Sequence, residues 1–260
     1  MSVFIFPYSE VSESSKDLAD SLGIRRIRRH KSKFTGGPNE TVINWGCSEL
    51  PTWEPRTRIL NRSEHVSAMT NKRSAFRLFQ QAGVRVPDFT ESHAEATRWL
   101  EAGNMVFART VLTGHSGNGI VVLDPDHRDT WEVSARLYVK YVKKKDEFRL
   151  HYFKDRNGNP VCIDVQRKTL RDEFRGQSDV NFLVRNLANG FIFQRNNITV
   201  PQDVYIEGEK AFRASNLDFG ALDVIFNQHQ GRAYILEINT SPGLQGSSLD
   251  NYTQAFRNLL

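Results

Sequence analysis

The sequence predicts a mixed fold, in which a small N-terminal α/β unit is followed by two α+β segments. Three observations favour this class. Strand-like and helical patterns alternate near the N-terminus, a glycine-rich loop separates two short apolar runs in the middle, and the apolar runs LDVIF and AYILEIN near the C-terminus are joined by the polar turn QHQG. The 260 residues are 39% hydrophobic and 11% aromatic, enough for one or two packed cores.

The first segment has the pattern of a small α/β domain. VFIF at residues 3–6 predicts a buried strand, and residues 11–22 predict a helix that ends at Gly23. IRRI and TVINW follow as short strands. Proline, glycine and charged residues dominate residues 46–58, which indicates a connecting loop at the end of a first domain, residues 1–62.

The second segment, residues 63–140, predicts a small α+β module. An amphipathic helix capped by Asn71 and closed by Gly83 leads into the extended run VRVPDFT. ESHAEATRWLEAG predicts a second helix. The strands MVFART and IVVL then flank the glycine loop TGHSGNG.

The third segment, residues 141–260, is rich in strands. The runs LYVKYV, which begins just before it, EFRLHYF, PVCIDVQ and FIF each predict a strand. A helix over 203–212, the two apolar strands of the C-terminal hairpin and a last helix over 249–260 complete the chain.

The charge balance allows two kinds of partner. Net charge is +5 with a pI of about 9.2, and basic clusters occur at residues 25–33 and 140–145. Such clusters suit a nucleic acid, or they converge on a polyphosphate and an anionic substrate within a cleft. No aromatic-interleaved platform or groove-reading motif accompanies them, so the second interpretation is favoured and a nucleic-acid partner is not expected.

The sequence gives no indication of membrane insertion or of a disulfide. No basic leader precedes the first apolar run and no apolar stretch is long enough to cross a bilayer, so we expect a soluble, cytoplasmic protein with no membrane partner. Cys47 and Cys162 lie far apart without metal-ligand spacing, which favours reduced structural thiols.

The C-terminal hairpin carries three hard oxygen donors, Asp223, Glu237 and Asn239. Alternation places Glu237 and Asn239 on one face of the second strand, with Asp223 able to face them from its neighbour. Such a set suits Mg2+. A hairpin with a polar rim and no metal fits the spacing equally well, but residues 240–243, TSPG, would end the strand in a rigid loop beside which a substrate could lie.

Two further features suit a bound phosphate. The backbone N–H groups of the glycine loop, residues 113–119, can close over phosphates, although a flexible turn explains the same composition. Lys72 at a helix start and Arg109 at a strand end are ordinary surface residues when each is taken alone. No GxxxxGK[ST] motif is present, which excludes a P-loop.

The run LEINTSPGL resembles the C-terminal signature of the ATP-grasp superfamily, and the order of the other features resembles its branch of ribosomal-protein glutamate ligases and phage amidoligases, over roughly residues 65–245. This resemblance implies an ATP-grasp fold, a small N-terminal α/β domain followed by two α+β lobes that grip ATP. It also implies that Asp223, Glu237 and Asn239 bind two Mg2+ ions that bridge the phosphates.

The resemblance further implies roles for individual residues. The residues implied to bind ATP are Lys72, Arg109, Thr113, Gly114, Ser116, Gly117, Gly119, Val139, Lys140, Tyr141 and Glu147. The implied catalytic residues are Arg149, Arg167, Lys168 and Asn186, and the implied substrate contacts are Ser241 and Gly243. Arg109 departs from the lysine of most relatives, but its guanidinium can still bind a phosphate with two parallel hydrogen bonds.

The implied activity is an ATP-dependent carboxylate-amine ligase. A carboxylate of an amino acid, peptide or protein would be activated as an acylphosphate, and an amine would then attack it. Two alternatives stay open: an ATP-grasp small-molecule kinase, and a non-catalytic basic protein that retains the fold and binds nucleic acid or a scaffold. The sequence names neither the carboxylate nor the amine.

Overall fold

Three β-sheets organise the protein. The structure, a computed structural model, describes residues 2–113, 118–178 and 180–260. Each sheet lies within one of the three segments predicted from the sequence.

The first sheet is parallel, with the order β2-β1-β3-β4. Its strands are β1 (Ser2–Pro7), β2 (Arg25–Arg26), β3 (Glu40–Trp45) and β4 (Arg58–Leu60). The predicted first helix is confirmed as α1 (Glu13–Leu22). Ser12 caps it by accepting a hydrogen bond from the backbone N–H of Ser15, and Gly23 ends it at φ +67°, in the left-handed region.

Two helices, α2 (Ser63–Thr70) and α3 (Lys72–Gln81), connect the first sheet to the second. The second sheet is antiparallel, with the order β5-β8-β6-β7. Its elements are β5 (Phe89–Thr90), helix α4 (His93–Glu101), β6 (Val106–Arg109), β7 (Ile120–Leu123) and β8 (Leu137–Lys140).

The third sheet is also antiparallel, with the order β11-β10-β9-β12-β13. Its strands are β9 (Asp146–Lys154), β10 (Pro160–Leu170), β11 (Phe191–Gln194), β12 (Phe219–Asn227) and β13 (Arg232–Asn239). Helices α5 (Gln202–Ser215) and α6 (Ser247–Leu259) pack on it.

The two faces of the third sheet are covered differently. Leu150 and Leu222 face a core shared with α2, α3 and α5. On the opposite face, Phe153 and Phe219 join a second core with α6 and the first domain. That second core covers one half of its face only. Because side chains alternate along a strand, the other half of the face presents the charged residues that precede Phe153 on β9 and follow Phe219 on β12.

Packing crosses the predicted domain boundaries. Helices α2 and α3, in the second predicted segment, contribute Val66 and Phe79 to the core of the third sheet. The second sheet rests on α3 through Phe76, which packs with Leu137 and Val139. None of the helices in the described part of the chain has both the length and the apolar character needed to cross a membrane.

Asn61 joins the first domain to the third sheet. It is fully buried at φ +59°. Its side-chain amide donates to the carbonyl of Phe219 at 3.0 Å, and its side-chain oxygen accepts from the backbone N–H of Asp218 at 2.7 Å. The backbone N–H of Phe219 also donates to the side-chain oxygen of Asn61, at 3.2 Å. Three backbone groups at the start of β12 therefore depend on this one side chain.

Replacement of Asn61 tests this junction. Asn61→Ala should lower the free energy of unfolding by about 1–3 kcal/mol, because buried backbone groups lose their partners. Asn61→Gly loses the same hydrogen bonds but tolerates positive φ, so it should be the less damaging variant by about 1 kcal/mol. Urea denaturation measures both; equal stability of Asn61→Ala and wild type would contradict the assigned role.

His151 lies beneath α6, at the border between the packed and the charged halves of the sheet face. Its Nδ1 atom is 3.2 Å from the hydroxyl of Tyr252, and its Nε2 atom has no hydrogen-bond partner within the described chain. Burial foremost, followed by the positive charge of Arg149, lowers the pKa of His151 from 6.5 to about 4. The native protein therefore holds this histidine neutral.

His151 should make stability depend on pH. The unfolded chain binds a proton near pH 6.5 and the folded chain only near 4, so its contribution is fully present above 6.5 and is lost as the pH falls towards 4. The difference corresponds to about 3 kcal/mol. Urea denaturation of wild type and His151→Gln should show a steeper loss of stability in the wild type across this interval. Equal slopes would show that His151 does not titrate in this way.

Candidate active site

A cleft of about 800 Å³ lies between the second and third sheets. One wall is apolar and is formed by Phe76 of α3 with Phe107, Ile120 and Val139 of the second sheet. The floor is formed by the half of the third sheet's face that carries charged side chains. The cleft therefore offers an apolar surface opposite a charged one, as a ligand with a flat apolar ring and an anionic tail requires.

The structure brings together the three oxygen donors of the predicted hairpin. Asp223 of β12 pairs directly with Glu237 of β13, and the register shifts immediately after this pair. Such a bulge re-aims side chains and is common beside functional sites. Asn239 follows two residues later on the same face, and all three side chains line the cleft.

Both carboxylates are paired with cations. Arg149 of β9 binds Asp223 through two parallel hydrogen bonds, Nε to Oδ1 at 2.6 Å and Nη2 to Oδ2 at 2.8 Å. Lys72, the first residue of α3, donates from Nζ to Glu237 Oε2. The guanidinium of Arg149 also lies over the ring of Phe193, 4.4 Å from its centroid.

Burial and charge act in opposite directions on these groups. Burial alone would raise the pKa of Asp223, but Arg149, Lys168 and Lys72 hold it below its usual value. Burial would likewise raise the pKa of Glu237, and Lys72 is the main cause that lowers it. Both carboxylates are therefore ionised at neutral pH. Burial lowers the pKa of Arg109, and Glu237 partly opposes that effect.

Glu147 forms a second buried charge cluster on the floor. Its Oε2 atom accepts from Lys144 Nζ at 2.9 Å, and its Oε1 atom accepts from Lys168 Nζ. Each carboxylate oxygen thus already has a lysine partner. A ribose hydroxyl that binds Glu147, as the resemblance implies, would have to share these oxygens with the lysines.

Positive charge dominates the lining. Three carboxylates, Asp223, Glu237 and Glu147, face eight basic residues among the described residues of the cleft. The eight are Lys72, Arg109, Lys140, Lys144, Arg149, Lys168, Arg185 and Arg195. Because this surplus is held in a partly buried cleft, the site is suited to an anion with several charges, such as a polyphosphate.

The predicted hinge, Val139 to Tyr141, also lines the cleft. The backbone N–H of Lys140 donates to the carbonyl of Asp88 at 2.8 Å, and that of Tyr141 donates to the carbonyl of Met105 at 2.8 Å. A purine that contacts these residues would therefore meet their side chains and carbonyl oxygens rather than these two N–H groups.

Asn186 and Gly243 line the cleft as well. The side-chain oxygen of Asn186 accepts from the backbone N–H of Asn189 at 2.9 Å, which fixes the amide at the start of a short 3-10 turn. A Cβ atom built on Gly243 would meet no other atom within 4 Å, so this position opens onto free space.

Arg167 is not brought to the cleft. Its neighbours Gln166 and Lys168 line the cleft, so the alternation of β10 points Arg167 to the opposite face. There it donates to Gln194 Oε1 at 3.1 Å and lies 4.0 Å from Asp146 Oδ1. The placement corrects the expectation that Arg167 reaches the reacting phosphate.

Three other predicted residues lie outside the cleft lining: Thr113, Gly119 and Ser241. Gly119 is in the left-handed region at φ +73° beside Val111, and Ser241 lies against Gly46 of the first domain. Gly114, Ser116 and Gly117, the rest of the predicted glycine-loop contacts, fall outside the described residues.

Several lining residues were missed by the sequence analysis. Lys144 is one of three consecutive lysines, and only the strand arrangement shows that it is the one beside Glu147. Arg195 follows β11 and donates to the carbonyl of Gln245 at 2.8 Å. Phe193 offers its ring to Arg149. The basic run and the FIF motif were the available signals, but neither indicates which side chains face inward.

The donor set fits Mg2+. This ion commonly uses one or two carboxylates and completes its shell with water and substrate phosphates. Asp223 and Glu237 supply two ionised carboxylates and Asn239 supplies an amide oxygen. No group of three or more His, Cys, Asp or Glu side chains suited to a metal occurs among residues 2–113, 118–178 and 180–260, so a cage made of such side chains is absent from that part of the chain.

Comparison by sequence finds no relative, since no protein-family model and no curated protein matches the chain. Solved structures do match. N5-carboxyaminoimidazole synthetase from Staphylococcus aureus, complexed with ADP, superposes with a TM-score of 0.68 at 12% identity, covering 99% of this chain and 77% of that one.

Two further structures match over nearly their whole length. A RiPP-associated ATP-grasp ligase from Chryseobacterium gregarium, in complex with ADP and with a leader and core peptide, has a TM-score of 0.66 at 14% identity, covering 99% of this chain and 96% of that one. A RimK domain ATP-grasp protein from Sphaerobacter thermophilus has a TM-score of 0.65 at 11% identity, covering 100% and 99%. The predicted fold class is therefore confirmed: the chain has the fold of the ATP-grasp ligases.

Proposed function

We propose that the protein is an ADP-forming, ATP-dependent carboxylate-amine ligase, of the branch that includes ribosomal-protein glutamate ligases and phage amidoligases. One observation carries the proposal. Two ionised carboxylates and an amide, Asp223, Glu237 and Asn239, lie side by side in a cleft whose remaining charge is strongly positive. This combination suits the triphosphate of ATP together with Mg2+.

The nucleotide would lie with its base against the apolar wall. Phe107 and Val139 supply this wall, and Tyr141 packs edge-on against Phe107 with ring centroids 5.5 Å apart. Lys72 and Arg109, both about nine-tenths buried, would bind the α- and β-phosphates.

Asp223, Glu237 and Asn239 would hold the magnesium, which when bound supplies charge neutralisation on the phosphate oxygens. Lys72 and Arg149 form ion pairs with Glu237 and Asp223, two of these ligands. An exchange of partners follows from this arrangement. The lysine and the arginine would turn to the phosphates, and the two carboxylates would be released for the metal.

The reaction would proceed in two balanced steps. A carboxylate oxygen of the acceptor attacks the γ-phosphorus of ATP, and the bond to the β–γ bridging oxygen breaks to release ADP. An amine nitrogen then attacks the acyl carbon, inorganic phosphate leaves, and the amine loses a proton to give the amide. Arg149 and Lys168 would spread the charge on the transferred phosphoryl group, with Asn186 beside them.

The acceptor would be a carboxylate of an amino acid, a peptide or a protein. The free space at Gly243, next to the magnesium-binding strand, supports a substrate position at this end of the cleft. The Chryseobacterium ligase of the same fold is in complex with a leader and core peptide, which favours including peptides among the acceptors to be tested.

Asn239→Ala tests the metal assignment. ATP turnover should fall about 100-fold or more, because a ligand to the metal is lost, and part of the loss should be recovered at higher Mg2+ concentration. Asn227→Ala, on the same hairpin but away from the cleft, is the matched control. Glu237→Ala is a poorer choice because it would leave buried Lys72 without its carboxylate.

Magnesium titrations of ADP release, with circular dichroism as a check on folding, provide the measurement. Turnover of Asn239→Ala equal to that of wild type at every Mg2+ concentration would show that Asn239 is not a metal ligand.

Trapping of the intermediate tests the reaction class. An ADP-release screen over amino acids and short peptides identifies the acceptor, and hydroxylamine is then added in place of the amine. A ligase should yield a hydroxamate by capture of the acylphosphate, detected by mass measurement of the product. A kinase that makes a stable phosphoester would release ADP without hydroxamate. A non-catalytic binding protein would release no ADP with any acceptor.

A further inference from the structure

A second, separate cavity lies on the first domain. The segment that begins with β2 curls beside β1 and encloses about 550 Å³ of space. We call this cavity the basic groove. Its lining includes Phe4, Arg25, Arg28, Lys31, Lys33 and Phe34. It shares no residue with the lining of the cleft.

The basic groove concentrates unpaired positive charge. Arg25, Arg28, Lys31 and Lys33 are exposed, and none of them forms an ion pair with another residue of the described chain. Glu40 is the single carboxylate of the lining. Four mutually repelling cations around one concavity destabilise the free protein, and an anionic ligand would relieve that repulsion.

The backbone of the groove is also unusual. Lys31 adopts φ +55°, a left-handed conformation that disfavours a lysine by about 1 kcal/mol. β2, which opens the segment, is the outermost strand of its sheet, so one edge of its backbone faces away from β1. Strain and a free strand edge at one place are typical of a surface that binds another chain.

The floor of the groove is apolar, and its aromatic rings already contact one another or Arg25. Phe4 and Phe34 lie with ring centroids 4.8 Å apart, and Phe34 packs edge-on against Trp53 at 5.5 Å. The guanidinium of Arg25 lies over Phe4, 5.3 Å from its centroid. Aliphatic side chains fit such a floor, whereas a nucleobase needs an uncovered aromatic face on which to stack.

We propose that the basic groove binds an acidic, extended polypeptide segment. Carboxylates of the segment would meet Arg25, Arg28 and Lys33, and an aliphatic side chain between them would contact the apolar floor. Glu40 can accept a hydrogen bond from a peptide N–H of the bound segment, a donor that phosphodiester groups do not offer.

A short series of contacts links the basic segment of the first domain to Ser241, in the loop that follows β13. Arg29, in the same basic segment, donates from Nη1 to the carbonyl of Pro7 at 3.0 Å and to Cys47 Sγ at 3.1 Å. Gly46, next to Cys47, lies against Ser241 so closely that a Cβ atom there would be 2.6 Å from its Oγ.

The proposal that the basic groove binds an acidic segment does not depend on the proposed ligase function. Fluorescence anisotropy of a fluorescein-labelled peptide of alternating glutamate and leucine measures this binding directly. The variant Arg25→Glu, Arg28→Glu, Lys33→Glu should weaken binding about tenfold or more. The matched control reverses three exposed cations elsewhere, Lys16→Glu, Arg58→Glu and Arg98→Glu, with the same change in net charge, and should bind as wild type does.

Three outcomes would overturn the proposal. They are no binding of the acidic peptide, equal losses in the groove variant and the control, and tighter binding of a single-stranded oligonucleotide that depends on the same three residues. All of these residues are exposed, so thermal melting should confirm that both variants fold. A protein that binds the peptide through the groove yet releases no ADP with any acceptor would contradict the proposed function and leave the groove assignment intact.

Discussion

Asp223 and Glu237 lie opposite each other on neighbouring strands, Asp223 buried and Glu237 half-buried, where an ionised carboxylate is costly unless cations are held beside it. Three separate elements supply those cations: α3 through Lys72, β9 through Arg149 and β6 through Arg109. The helix and both sheets must be assembled before the carboxylates can be taken out of water in their charged form. The same constraint keeps them ionised and close together, as a hard cation requires.

This constraint explains why one face of the third sheet is divided. Beneath α6 and the first domain, the face is apolar and closely packed around Phe153 and Phe219. Beyond His151, the same face carries charged side chains and stays open. Tyr252 lies over the border, with its hydroxyl against His151. The same continuous strands thus form part of the packed core at one end and the open floor of the cleft at the other.

Local patterns predicted much of this arrangement, and long-range packing decided the rest. The C-terminal hairpin follows from two apolar runs and a polar turn, whereas the shift in its register after Asp223 has no signal in the sequence pattern. Arg167 and Lys168 were both assigned to the site by resemblance, but neighbouring residues of a strand point to opposite faces, and on β10 Lys168 is the one that faces the cleft. Helix α2 was missed because it is only weakly amphipathic; burial of Val66 and Met69 against the third sheet stabilises it.

The second sheet has a small core of its own, which includes Leu100, Val106 and Leu123, and it rests on α3 through Phe76. Such a unit can open cooperatively while the larger cores stay folded. Hydrogen exchange at the amides of β6 and β7 would then report a sub-global opening of lower free energy than that of the third sheet. A ligand bound between the two sheets would stabilise the closed form. Binding in the cleft would therefore lower the hydrogen-exchange rates of the amides in β6 and β7.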